Sequence, residues 1–419
     1  TGESNERTDE ASIEAEPESA ERKERRIVQR SIIHTLQATW RHPTEIRFGA
    51  GRIRELPAIC WALHLTRPLL ITDAKLARRP FIRRILGTCR REAIGIGCFD
   101  GIVTEPDGEV ILAGTNCFLK GGYNGIIAVG GGSVLDAAKA VALAATVGPQ
   151  AMWEYRSGGS ALISPLHKAP PIIAVPTTAG TGSEVDANAV ILDHASGSKI
   201  SLYHPDLMPA IVVADPELTR GLIPYLTATT GMDALAHNLE AYCSPGFHPI
   251  LDAIAVQGVG YIKNWIRPAC TDGRKLEPRV YMMAASIMGA IAFEKGLGAM
   301  HGIAHAVGAI HKIPHGRVIA AVMPYVLRFN RRAIIKRIAD LARSIDLPQH
   351  SFDGLLDWIV TLRNDLGMPI SLSAVGVRES DIPDITRMAL ADANMATNPI
   401  PVNEEKLQKL LRKALSGRL

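Results

Sequence analysis

Between about Glu45 and Asp215, short apolar runs alternate with helical patterns, and this alternation narrows the fold more than any other feature of the chain. Pro68-Leu69-Leu70-Ile71-Thr72, Gly125-Ile126-Ile127-Ala128-Val129, Ile172-Ile173-Ala174-Val175 and Ile211-Val212-Val213-Ala214 each read as a buried strand. A strand that is apolar at successive positions is covered on both faces, and helices between such strands supply the cover. The pattern predicts a parallel sheet in an α/β unit. After Asp215 the β signals nearly vanish and long helical patterns with sparse Pro take over, so the second half reads as all-α. The expected division is a tail over 1–38, an α/β domain over 39–215 and an all-helical domain over 216–419.

The tail is rich in Glu, Arg and Ser and almost free of aromatics. Such a segment cannot bury enough to offset its ordering entropy, so a flexible tail is expected, with a charged helix around Ala20 to Leu36. Its charges run from Glu3 to Arg30 without the apolar core of a signal peptide. Nowhere does the chain approach the ~20 consecutive apolar residues that span a membrane. A net charge of +4 over 419 residues gives no reason to expect a nucleic-acid partner, which needs a concentrated basic surface. The cysteines Cys60, Cys89, Cys98, Cys117, Cys243 and Cys270 lie far apart with no CxxC pair. Buried thiols in a reducing, cytoplasmic setting are expected.

The strand ending at Val129 runs into Gly130-Gly131-Gly132-Ser133 and then the helical Val134-Leu135-Asp136-Ala137-Ala138-Lys139. Glycines let backbone approach an anion, and a helix N-terminus offers free N–H groups and a favourable dipole. Alone, the triplet reads equally as a diphosphate cradle or an ordinary tight βα turn. No Gly-Lys-Ser/Thr follows, so it is not a Walker A motif. The strand from Ile172 ends in Pro176-Thr177-Thr178-Ala179-Gly180-Thr181-Gly182-Ser183-Glu184. By itself this is a polar loop with helix-capping hydroxyls. Two such loops after neighbouring strands favour a nucleotide crevice at the carboxyl ends of the sheet.

The helical half carries Gly231-Met232-Asp233-Ala234-Leu235-Ala236-His237, then His301 and His305, then Pro314-His315-Gly316. Asp233 and His237 are four apart, so a helix puts both on one face, and His301 and His305 repeat that spacing. A carboxylate and several imidazoles brought together cage a divalent transition metal. A metalloenzyme is the leading expectation.

Taken in order, these motifs resemble the iron-containing (group III) alcohol dehydrogenase family, from about Thr39 to the C-terminus and including Thr397-Asn398-Pro399. The resemblance implies a dehydroquinate synthase-like architecture: a dinucleotide-binding α/β domain, a helical metal-binding domain and a site in the cleft between them. It implies an NAD(P)-dependent oxidoreductase that moves hydride between a small alcohol or diol and its aldehyde or ketone, with Fe²⁺ or in some members Zn²⁺. On it, Asp233, His237, His301 and His315 are the metal ligands, and His305 sits by the nicotinamide and substrate. His305 would then relay the proton or simply shape the pocket. Gly131, Gly132, Ser133 and Asp136 would hold the diphosphate and ribose region, with Thr177, Thr178, Thr181 and Lys199 lining the rest. Asp73 would accept from the adenosine ribose hydroxyls and favour NAD over NADP, and it reads equally as the N-cap of the next helix. A homo-oligomer, dimer or larger, is expected in the same way.

Two departures stand out. Asp186 occupies a position where the family often has Thr, and a carboxylate there can alter contacts to the cofactor. His311 is an extra imidazole that fits either the substrate pocket or an ordinary surface or core position. The rival readings on the same scaffold are a dehydroquinate synthase-like lyase, a hydroxyacid-oxoacid transhydrogenase, and a non-enzymatic scaffold with a vestigial metal site. Substrate identity is not legible in the chain.

Overall fold

The computed structural model describes residues 37–41 (backbone only), 44–103, 105–157 and 169–419. Of the expected tail over 1–38, the part up to Leu36, with its helix from Ala20, lies outside the described residues, and Gln37 and Ala38 belong to a strand. The main sheet has strands β1 (Gln37–Arg41), β2 (Glu45–Gly49), β3 (Pro68–Asp73), β4 (Gly97–Ile102), β5 (Gly125–Gly130), β6 (Ile172–Pro176) and β9 (Ile211–Ala214). Their order is β1-β2-β9-β6-β5-β3-β4, parallel throughout except for the antiparallel β1–β2 pair. A separate antiparallel hairpin, β7 (Asn188–Asp193) and β8 (Ser198–Tyr203), stands outside this sheet.

The four predicted strands are present, and the reason they read as unbroken apolar runs is visible in the core. Successive side chains of a strand point to opposite faces. Leu70, Ile127, Val129, Ile173, Val175 and Val213 pack with Ile59 and Cys60 of α1 (Leu56–Ala62) and with Ile82 and Cys89 of α3 (Pro80–Arg91), which follows the short α2 (Ala74–Ala77). Leu69, Ile71, Ile126, Ala128, Ile172, Ala174 and Val212 face α4 (Gly108–Gly121) and α5 (Gly132–Val147) in a second core that continues into the helical half. The strands that the patterning missed are the less covered ones. Alternate residues of β4 are exposed, and alternate residues of β7 are only partly buried.

Beyond Ala214 every regular element among the described residues is helical: α6 (Pro224–Cys243), α7 (Pro249–Thr271), α8 (Leu276–Ala292), α9 (Ala299–His311), α10 (His315–Ser344), α11 (Phe352–Asp365), α12 (Ile382–Ala391) and α13 (Glu404–Ser416), with 3-10 turns between. None of these helices is by itself long and apolar enough to cross a membrane. Helix α6 is buried nearly all round, packed by α7, α8 and α10. Close approach is possible because of small residues: a Cβ on Gly258 of α7 would fall 2.0 Å from Asn238 Oδ1, and one on Gly289 of α8 would fall 2.6 Å from Asn238 Nδ2. Asn238 in turn donates to the carbonyls of Ala234 and Ala285, tying α6 to α8. This fixes the helix that carries the first two candidate ligands.

Candidate metal centre and cofactor cleft

Helix α6 places Asp233 and His237 one turn apart on one face, and α9 does the same for His301 and His305. The chain then reverses at Lys312, which adopts a left-handed conformation (φ 53°), so that His315 starts α10 beside them. Ring centroids lie 4.5 Å apart for His237 and His301, and 5.3 Å for His301 and His315. Asp233 Oδ1 is 3.8 Å from His301 Nε2 and 3.4 Å from His315 Nε2. Ligand atoms of Asp233, His237 and His301 all fall within 4.8 Å of one another.

Whether these residues suit a metal can be tested on their unmet bonds. Asp233 Oδ1 and His301 Nε2 are buried with no hydrogen-bond partner among the described residues. Two such atoms facing a common point would each cost about 1–3 kcal/mol unless a cation joined them. The outward ring nitrogens are engaged: His237 Nδ1 faces the Gly180 carbonyl at 3.2 Å, and His301 Nδ1 faces Glu240 Oε2 at 2.6 Å. Each arrangement leaves Nε2 for the ion, as a carboxylate–histidine–metal relay requires. Burial pushes His237 and His301 down to about 4, against the pull of Asp233, and lowers His315 well below its ordinary value. Burial thus favours the neutral imidazole, the form that binds metal. Glu240 is pushed by burial up to about 7, opposed chiefly by the Met300 N–H it accepts at 2.7 Å.

Glu240 is a residue that the sequence reading missed, although a signal existed. Positions 233, 237 and 240 follow the helical repeat and share the face of α6. Asp392 was missed too. It follows α12 and holds His305 Nδ1 through Oδ2 at 2.7 Å, while its Oδ1 accepts the Asn394 N–H. No local pattern links it to a histidine 87 residues away. His311 lies 3.2 Å from Asp381 and does not line the cavity, so the ordinary reading of that imidazole is the observed one.

A cavity of about 920 Å³ runs from the metal cluster, including His305 and His315, to the glycine turn. Gly132, Ser133, Asp136, Thr181 and Lys199 line it, whereas Asp73, Gly131, Thr177 and Thr178 do not. The two loops nonetheless close on one another. The Thr177 N–H donates to the Gly130 carbonyl, and a Cβ would stand 3.2 Å from Thr178 Cγ2 at Gly131 and 2.6 Å from Thr181 Cγ2 at Gly132. A Cβ at Gly132 would force Thr181 to move, and the glycines leave the N-terminus of α5 open to the cavity, as a diphosphate site needs. Asp73 caps α2, accepting from the N–H groups of Lys75 at 2.8 Å and Leu76 at 2.9 Å.

Asp186 also lines the cavity, and its charge is met in place. Buried Lys139 donates to Asp186 Oδ1 at 2.5 Å, the Asn188 carbonyl at 2.7 Å and Ser183 Oγ at 3.0 Å, and Ser183 in turn donates to Asp136 Oδ1. Burial pushes Asp136 up to about 7, with the Lys139 charge opposing. Lys199 is ion-paired with Glu105.

The chain was compared with known proteins. The iron-containing alcohol dehydrogenase family model matches residues 43–216, and the C-terminal model of the Fe-containing alcohol dehydrogenase family matches residues 227–415. The chain is 36% identical to 4-hydroxybutyrate dehydrogenase of Cupriavidus necator, over 89% of this chain and 98% of that one. It is 34% identical to 1,3-propanediol dehydrogenase of Citrobacter freundii, over 88% and 96%. Among solved structures, a 1,3-propanediol oxidoreductase superposes with a TM-score of 0.84 at 32% identity, covering 91% of this chain and all of that one. Sulfoacetaldehyde reductase from Bifidobacterium kashiwanohense in complex with NAD+ gives 0.81 at 28%, covering 90% and 98%.

Proposed function

Because the chain belongs to the iron-containing alcohol dehydrogenase family, we propose that it oxidises small primary alcohols or diols with NAD on an Fe²⁺ ion held by Asp233, His237, His301 and His315. The observation that carries this reading is the pair of buried, partnerless atoms, Asp233 Oδ1 and His301 Nε2, at the end of a cavity that also reaches the glycine turn. When bound, the divalent ion supplies Lewis acidity at the hydroxyl being oxidised, and the nicotinamide accepts the hydride.

The chain's own residues do the rest. The N-terminus of α5, at Gly132 and Ser133 with Gly131 behind them, offers its free N–H groups and dipole to the diphosphate of the cofactor. Asp136, Thr181 and Lys199, which line the cavity, orient the remainder of it, with Thr177 and Thr178 shaping the loop behind them. Asp73, which ends β3 with one carboxylate oxygen outside its capping bonds, favours NAD by repelling a 2′-phosphate. Asp392 fixes the tautomer of His305, whose ring lies 5.2 Å from that of His315. His305 is therefore held to take the alcohol proton through Nε2 and pass it toward solvent. Phe293, 5.2 Å from the His237 ring, and Leu297 shield the reacting atoms from water.

A lyase or transhydrogenase acting on multiply anionic substrates would need basic groups converging on the substrate side. Among the described residues the lysine and arginine lining the cavity are Lys199 and Arg156, each tied to a carboxylate. The free thiols support a reducing, cytoplasmic setting, and an assembly of two or more chains is part of the same reading.

The test is NADH formation from small alcohols by protein stripped of metal and reloaded anaerobically with Fe²⁺ or Zn²⁺. Activity that returns with Fe²⁺ and is absent in His301→Ala is the expected result. Turnover restored only by Zn²⁺ would replace the iron assignment. Turnover without added NAD would point to a transhydrogenase that retains its cofactor.

A further inference from the structure

The two forms of a nicotinamide cofactor differ in charge at one place. NAD+ and NADH share their diphosphate and both riboses, but the nicotinamide ring is cationic in the first and neutral in the second. A fixed charge beside the ring favours one form, whereas a charge elsewhere acts on both alike.

The ring's position is bounded from two sides. The diphosphate belongs at the N-terminus of α5, and hydride must come from a carbon whose oxygen is at the metal cluster. The second loop joins those two places with adjacent residues. The Gly180 carbonyl meets His237 Nδ1 at 3.2 Å, and Thr181 Cγ2 stands 2.6 Å from where a Cβ on Gly132 would fall. From Thr181 the same loop continues along the cavity with Ser183 and Asp186 and enters β7 at Asn188. The hairpin of β7 and β8 then turns to α9, where Lys199 Nζ lies 3.3 Å from the position of a Cβ on Gly308. Asp186 therefore belongs to the wall that runs between the glycine turn and the histidine helix.

Asp186 and Lys139 form an ion pair that is neutral as a whole but turns its negative end to the cavity. The Lys139 side chain is 1% exposed, whereas that of Asp186 is 13% exposed and lines the cavity. The ammonium is spent behind the carboxylate, on Asp186 Oδ1, the Asn188 carbonyl and Ser183 Oγ. Asp186 Oδ1 also accepts the Asn188 N–H at 2.9 Å, and Oδ2 takes no bond among the described residues. The Asp186 charge is felt by its neighbours: Asp136 and Glu184 are pushed up to about 7, by burial first and by Asp186 in addition. Arg156 and Lys199, the other cations of the cavity, are paired with Asp193 and Glu105.

We infer that Asp186 makes the site discriminate between the redox states of its cofactor, favouring NAD+ over NADH more than an uncharged residue in its place would. The inference rests on the function proposed above. The buried ammonium cancels the carboxylate at long range, so an anionic cofactor is not repelled on approach. Over a few ångströms the nearer charge dominates, and the cationic ring gains where the neutral ring does not. Product NADH is then a poorer competitor for the site, which suits alcohol oxidation.

The test is equilibrium binding to the full, Fe²⁺-loaded chain under anaerobic conditions, with NADH followed by its fluorescence and NAD+ and ADP-ribose by displacement of NADH. Asp186→Asn keeps an acceptor for Lys139 and removes the charge, and Asp186→Thr removes it with a smaller side chain. In both, the Kd of NAD+ divided by that of NADH should rise about fivefold, the size expected of one partly compensated charge close to the ring. Asp186→Glu, which keeps the charge, should hold the ratio within about twofold of the parent chain. ADP-ribose, which lacks the ring, should follow NADH in every variant. A ratio unmoved in both neutral variants, or equal weakening of NAD+, NADH and ADP-ribose, would overturn the inference and leave the dehydrogenase intact. Failure of the parent chain to bind any of the three would overturn both.

Discussion

Much of the chemistry at the metal centre depends on residues that touch no ligand of the reaction. Glu240 is buried, accepts the Met300 N–H and fixes the ring of His301. Glu240→Gln keeps the shape and one acceptor but removes the charge that makes His301 a better donor to metal. Retention of Fe²⁺ against a competing chelator should fall by about 10–100-fold, the usual cost of losing such a partner. Unchanged retention would reduce Glu240 to a packing residue. Lys139 acts differently. Its ammonium satisfies Asp186, Ser183 and the Asn188 carbonyl at once, which explains why two carboxylates are tolerated beside a cleft meant for an anionic cofactor.

At the level of the element, the turn between β6 and the short 3-10 helix Ser183–Val185 shows how backbone conformation and packing combine. Gly182 has φ +65°, and a Cβ on it would fall 2.2 Å from the Cβ of Ala290 in α8. Gly197, at the tip of the β7–β8 hairpin, has the same φ with nothing within 4 Å. Gly197→Ala should therefore cost about 1 kcal/mol, the backbone penalty alone. Gly182→Ala adds a clash that must push the second loop away from α8, and should cost more than roughly 3 kcal/mol. Urea unfolding of the two variants separates these terms, and equal losses would show that the loop yields freely.

For the whole molecule, the ion and the helical half are linked. The proposed ligands come from α6, α9 and α10, which meet only in the folded chain, so a divalent ion held by them would bind the native state alone. Binding then stabilises by about 2.7 kcal/mol at a hundredfold excess over the dissociation constant. Anaerobic thermal scans should show a midpoint that climbs with Fe²⁺ concentration in the parent chain and stays flat in Asp233→Asn. A midpoint indifferent to metal in the parent chain would contradict the site. The cleft position has a related consequence: the glycine turn is held by β5 and α5, the ligands by the helices, and the cavity joins both.

What the sequence determined by itself was whatever depends on local repeat. Strands covered on both faces left unbroken apolar runs, so β3, β5, β6 and β9 were legible. Strands covered on one face or lying at an edge, such as β4 and β7, left no such run. Asp233, His237 and His301 were legible as a possible metal cluster because helical spacing and an ordered set of motifs point to them without knowledge of the packing, whereas the choice of His315 came from the family resemblance. The tertiary structure decided everything that needs partners from distant segments. It set Asp186 against Lys139 and paired His311 with Asp381. It also brought Asp392 to His305. The physical reason is the same in each case. Periodicity records which face of an element is buried, but the charge that meets a side chain is set by how whole elements pack together.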